Sequence, residues 1–77
     1  MDGEELRERF LDNERMTFNE LMALYAWSCA EFEAAKQAGD EERRNDIGRL
    51  VVWVYPKCVR AQRNGTSYYS DRGQEAA

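Results

Sequence analysis

The chain has 77 residues, 43 % hydrophobic and 34 % charged, with fifteen acidic and eleven basic side chains for a formal charge of −4. This is the composition of one small globular domain, and a core of this size supplies only about 3–5 kcal/mol unaided, so self-association into a homodimer or higher oligomer is expected. Histidine is absent and the two cysteines fall in no zinc-binding spacing, so neither a metal nor a cofactor is expected.

In chain order, residues 3–13 read as a short first helix. Asp2 is its cap, with Glu5 at the third position, and Leu6, Phe10 and Leu11 give it one narrow apolar stripe. Such a helix is expected to lie across the rest of the molecule as a lid.

The stretch Met16-Thr17-Phe18-Asn19-Glu20-Leu21 spells a complete helix start. Thr17 can accept from the amide of Glu20 while the Glu20 carboxylate reaches back to the amide of Thr17, and Met16 can staple against Leu21. The second helix then covers residues 18–38, with Phe18, Leu21, Met22, Tyr25, Cys29 and Phe32 expected on its buried face. Ala38-Gly39-Asp40 supplies its stop and the cap of the next helix.

Residues 41–63 read as the third helix, with Glu41 and Glu42 in its positive first turn and Asn64-Gly65 at its end. Within it, Leu50-Val51-Val52-Trp53-Val54-Tyr55 has the β-branched and aromatic composition of a strand. The helical recurrence of Ile47, Leu50/Val51, Val54, Cys58 and Ala61, and the lack of a second strand signal, favour a helix. Pro56 removes one backbone bond and crowds the carbonyl of Val52, so this helix is expected to kink near Val52 to Pro56 or to break there. In an antiparallel hairpin turning at Gly39-Asp40, Cys29 and Cys58 stand about 12 Å apart along the axis, which predicts buried free thiols and no disulfide.

The expected domain therefore runs over residues 1–65, and residues 66–77 form a polar C-terminal tail in which Tyr68 and Tyr69 can dock on the body or bind a partner. The longest apolar run, Leu50 to Pro56, is far short of the roughly 20 residues that span a bilayer, and the first residues are acidic, unlike a secretory signal. A cytoplasmic protein without membrane contact is predicted.

Charge is segregated. Residues 1–42 carry twelve acidic and four basic side chains, whereas residues 43–77 carry three acidic and seven basic. Attraction between the halves favours folding the third helix back on the second, or docking it against the acidic end of another subunit.

Catalytic chemistry has little to stand on, with no His, no Ser or Cys beside a recognisable base and no Gly-rich phosphate loop. Binding surfaces are better represented. On the second helix Trp27 lies opposite Phe18, flanked by Ala23, Ala30 and Ala34. Three readings are open: the first helix or the tail tyrosines cover Trp27, a second subunit does, or it is a site for another protein. On the third helix Arg49, Trp53, Lys57 and Arg60 recur at i, i+4, i+8 and i+11 on a face turned from Ile47, Val51, Val54 and Cys58. A tryptophan bordered by cations can anchor a protein interface or stack on a base.

Asn19-Glu20-Leu21 with Tyr25 resembles one helix of the small Hha-type nucleoid modulators, and the helical hairpin is similar to small phage proteins that sequester cyclic nucleotides. Both likenesses cover a few residues at generic helical spacing, and neither assigns the chain to a family.

The fold expected is all-α: a short N-terminal helix, an antiparallel helical hairpin with a Pro-kinked last helix, and a polar tail. The function expected is a non-catalytic protein-interaction or regulatory module, of the kind a phage or mobile-element gene uses to inhibit a host protein by occupying its surface. Its candidate partner-binding residues are Trp27, Arg49, Trp53, Lys57, Arg60, Tyr68 and Tyr69. The alternative is nucleotide or nucleic-acid binding by the cationic Trp face, which needs Arg49, Lys57 and Arg60 to converge on one pocket.

Overall fold

Helix signals written into the sequence set the architecture. The computed structural model of the protein describes residues 2–63 and the backbone of 68–69, and contains helices α1 (Gly3–Leu11), α2 (Phe18–Ala38) and α3 (Glu41–Arg63). The Asn64-Gly65 stop and most of the expected tail lie outside the described residues.

Each helix begins where its cap predicts. Asp2 accepts from the Glu5 amide at 2.9 Å. Thr17 accepts from the Glu20 amide at 3.0 Å while Glu20 accepts from the Thr17 amide at 2.8 Å, so the capping box is complete. Asp40 accepts from the Arg43 amide at 3.1 Å. Gly39 ends α2 at φ 74°, a left-handed conformation that glycine adopts without steric cost, and the Asp40 amide reaches back to the Ala35 carbonyl.

α1 stops two residues earlier than its pattern suggested. Asn13 takes φ 59°, its amide donates to the Phe10 carbonyl, and the Glu14 amide donates to the Arg9 carbonyl. This is the paired end bonding usually built on glycine; Asn is the other residue that tolerates it.

α2 and α3 pack as the antiparallel hairpin, and α1 packs on α2 with Arg7 reaching Asp46 of α3. Leu6, Met16, Leu21, Leu24, Leu50, Val54, Cys58 and Ala61 form the buried cluster. The expected α3 face is the one buried, but the α2 face is rotated from its expected position. Leu21, Leu24, Ser28 and Ala35 are its buried residues, while Met22 is 42 % exposed. The rotation arises because α2 packs against two partners, α1 and α3, so its buried centre falls between the two contacts. Ser28, completely buried, donates from its hydroxyl to the Leu24 carbonyl at 2.7 Å and so carries no unmet polar atom into the core.

The valine-rich segment is helical, and α3 runs unbroken from Glu41 to Arg63 with Pro56 inside it. The Val52 carbonyl that Pro56 leaves without an amide lies on the solvent side, where both residues are exposed. Both cysteines are free, Cys58 buried and Cys29 partly so. At the open end of the hairpin Met16–Thr17 pairs antiparallel with Tyr68–Tyr69, in the register Met16 to Tyr69. The tyrosine pair thus returns to the body, through a backbone ladder with no precedent in the sequence pattern.

Candidate functional site

The candidate residues reach their places through ion pairs that tie α1, α2 and α3 together, of which only those of Arg43 join a cation of the basic half of the chain to carboxylates of the acidic half. Arg7 of α1 bonds Asp46 of α3 at 2.5 Å, and Arg43 of α3 bonds Glu31 of α2 at 2.8 Å and approaches Glu4 of α1 at 3.7 Å. Arg9 holds the other end of α1. Its guanidinium donates to Glu20 at 2.5 Å, to Glu14 at 3.2 Å and to the Arg15 carbonyl at 2.8 Å, clamping the connecting loop to the start of α2. The Thr17 amide and then Arg9 hold the Glu20 carboxyl below its ordinary pKa, and Glu20 in turn raises that of Arg9.

With α1 fixed in this way, its C-terminal end and the start of the loop stand beside the middle of α3. Between them opens a groove of about 370 Å³. Met16 and Leu21 belong to its floor as buried core residues, Phe10, Leu11, Val52, Trp53 and Pro56 form apolar walls, and Asn13, Glu14, Lys57 and Arg60 form the polar rim. Leu11 and Trp53 are each 51 % exposed and Val52 is 67 % exposed. Large apolar side chains gathered at one concave place and left open to water are the usual mark of an interaction surface.

Three of the candidates, Trp53, Lys57 and Arg60, therefore meet at one groove. Arg49 does not join them. It lines a second groove on the far side of the Val52–Trp53 ridge, with Phe32, Lys36, Arg44, Asn45 and Gly48, and stands 3.7 Å from Asp46. Arg49 and the pair Lys57 and Arg60 thus line different grooves.

Trp27 is placed differently again. Gly3 of α1 lies against its indole so closely that a Cβ at that position would stand 2.2 Å from the ring, which leaves Trp27 half-buried beneath α1. The first helix thus touches Trp27, the contact expected by the first of the three readings. Of Tyr68 and Tyr69, only the pairing with Met16–Thr17 is described, and their side chains lie outside the described residues.

Sequence reasoning missed Leu11, Val52 and Phe10 as site residues. Phe10 and Leu11 share the expected packing stripe of α1, yet Leu11 stands about 140° round the helix from buried Leu6 and so faces out into the groove that Trp53 also lines. Val52 was hidden in an apolar run whose buried members are Leu50 and Val54.

The described residues contain no group of three His, Cys, Asp or Glu side chains able to hold a metal ion, and no described helix is long and apolar enough to cross a membrane. Burial raises the pKa of Cys58, which disfavours a thiolate there. No family model, curated protein or solved structure matches the chain.

Proposed function

We propose that this protein is a non-catalytic interaction module that regulates a protein partner by occupying its surface, with the groove between α1 and α3 as the binding site. One observation carries the reading: Trp53, Val52 and Leu11 stand open to water around a single apolar groove with a cationic edge. An aromatic anchor beside a pocket, ringed by polar residues, is the arrangement in which a few side chains supply most of the binding free energy. The separation of Arg49 from Lys57 and Arg60 favours this reading over nucleotide binding, and the net charge of −4 works against docking on a polyanion. An inhibitory role in the cytoplasm, in the manner of small phage accessory proteins, and a homodimeric state belong to the same proposal.

The test is capture of the partner from the native host by the immobilised protein, with bound proteins quantified by mass spectrometry. Trp53→Ala should remove the captured partner, whereas Lys57→Ala and Arg60→Ala should weaken capture modestly and mainly at low salt. A partner held equally well by Trp53→Ala refutes the assignment.

A further inference from the structure

The second groove differs in chemistry from the first. It is an open trough of about 780 Å³ between the C-terminal half of α2 and the N-terminal half of α3, and its lining holds Lys36, Arg44 and Arg49 with no carboxylate. Phe32 forms one wall, packed so close to α3 that a Cβ on Gly48 would stand 3.3 Å from its ring, and Trp53 forms the other. The cations also differ from the rest of the molecule. Arg7, Arg9 and Arg43 are each consumed by carboxylates within the fold, but among the described residues neither Lys36 nor Arg44 has a carboxylate partner. Paired charges hold this chain together; these two are left over, and they flank an aromatic wall.

We propose that this trough binds an acidic peptide segment carrying an aromatic or large aliphatic side chain, the acids meeting Lys36 and Arg44 and the apolar group resting between Phe32 and Trp53. The inference rests on the interaction reading, since Trp53 walls both grooves, and it names the chemistry of that partner. The charge is local. Beyond Arg49 the surface carries Asp40, Glu42 and Asp46 around Arg43, which is itself paired with Glu31, so an extended phosphate backbone leaving the trough in that direction meets carboxylates, whereas a short acidic segment ends before them.

The probe is a fluorescein-labelled peptide of repeated Glu-Glu-Phe, titrated with the full chain and followed by anisotropy. A repeated Lys-Lys-Phe peptide and an oligothymidine serve as comparisons, and sedimentation reports self-association. Saturable binding of the acidic peptide is expected, weakened about tenfold or more by Lys36→Glu with Arg44→Glu and less by the milder Lys36→Gln with Arg44→Gln, while Met22→Asp, at an exposed position that lines neither groove, leaves it intact. Helical circular dichroism checks that each variant folds.

Absence of saturable binding, or affinity unchanged by the charge reversals, overturns the proposal. Tighter binding of oligothymidine through the same cations overturns it in favour of nucleic acid, and self-association lost on charge reversal without peptide binding overturns it in favour of a second copy. The two readings fail separately. Partner capture that depends on Leu11 and Trp53, with no peptide binding, removes this inference alone; peptide binding with partner capture indifferent to Leu11 removes the first groove alone.

Discussion

Gly3→Ala tests the contact that positions α1, and through it the apolar groove. Considered as a helix substitution, it should stabilise: Ala is preferred over Gly by up to about 1 kcal/mol, less in the first turn. The structure reverses the sign. A Cβ at residue 3 would stand 2.2 Å from Trp27 Cγ and Cδ2, with buried core beneath the indole. Either Trp27 leaves its rotamer or α1 lifts, and forcing extra volume into a packed contact costs about 1–3 kcal/mol. Lifting α1 also exposes Leu6, whose full burial contributes about 1.5–3 kcal/mol, and stretches the Arg7–Asp46 pair. A net loss of about 1–3 kcal/mol follows, which at this chain length lowers Tm by about 4–8 °C for each kcal/mol. Urea and thermal unfolding followed by helical circular dichroism measure it. Adding Trp27→Ala should relieve the clash, so the cost of Gly3→Ala should largely vanish in that background. Gly3→Ala that is neutral or stabilising in the wild-type background would show that α1 does not rest on Trp27.

The Arg9–Glu20 clamp makes an acid-side prediction. The folded carboxyl lies below its unfolded value of about 4.3, so its stabilisation is present above that pH and is lost as pH falls through the folded value. Glu20→Gln should lower stability at neutral pH and shrink the acid-induced loss, and a variant with an unchanged acid profile in urea melts contradicts the clamp. Pro56→Ala restores an amide inside an exposed turn of α3 and should raise stability by up to about 3 kcal/mol, the penalty of an interior proline, whereas a lower Tm would mean that the ring is needed where it stands. Self-association at micromolar concentration is expected from the small core and the open Trp53 groove. Sedimentation should show Trp53→Ala weakening it by about 2 kcal/mol or more, while Trp27→Ala acts on folding; a wild-type monomer at high micromolar concentration defeats this expectation.

The helices were legible in the sequence because their signals are local. Asp2, Thr17 with Glu20, Gly39 and Asp40 each act within four residues, and the α2 and α3 boundaries fall where those residues put them. The recurrence of Ile47, Leu50, Val54, Cys58 and Ala61 outweighed the strand-like composition around them, since one buried stripe at helical spacing decides the periodicity. What stayed hidden depends on how the helices meet. Met22 is exposed where the pattern expected it buried, and Ser28, which no pattern singled out, is buried, because α1 shares the burial of α2 with α3, a fact no window along α2 contains. Gly3 explains the burial of Trp27, yet its meaning is invisible until the two helices touch. The site was half legible for the same reason. Trp53, Lys57 and Arg60 lie along one helical face, but Leu11 joins them only once α1 packs beside α3, and Arg49 lines the other groove.

Hydroxyl-radical footprinting of the free chain and of its complex with the captured partner, read residue by residue by mass spectrometry, addresses the binding surface most directly. Trp53, Leu11 and Val52 are open in the monomer, so the free chain is footprinted at a concentration below its self-association. The interaction account predicts that their oxidation, with that of Phe10 and Pro56, falls together on binding, while exposed Met22 and Tyr55 continue to react. Protection confined to Met22 or Tyr55, with Trp53 and Leu11 oxidised as fast in the complex as in the free chain, would contradict it.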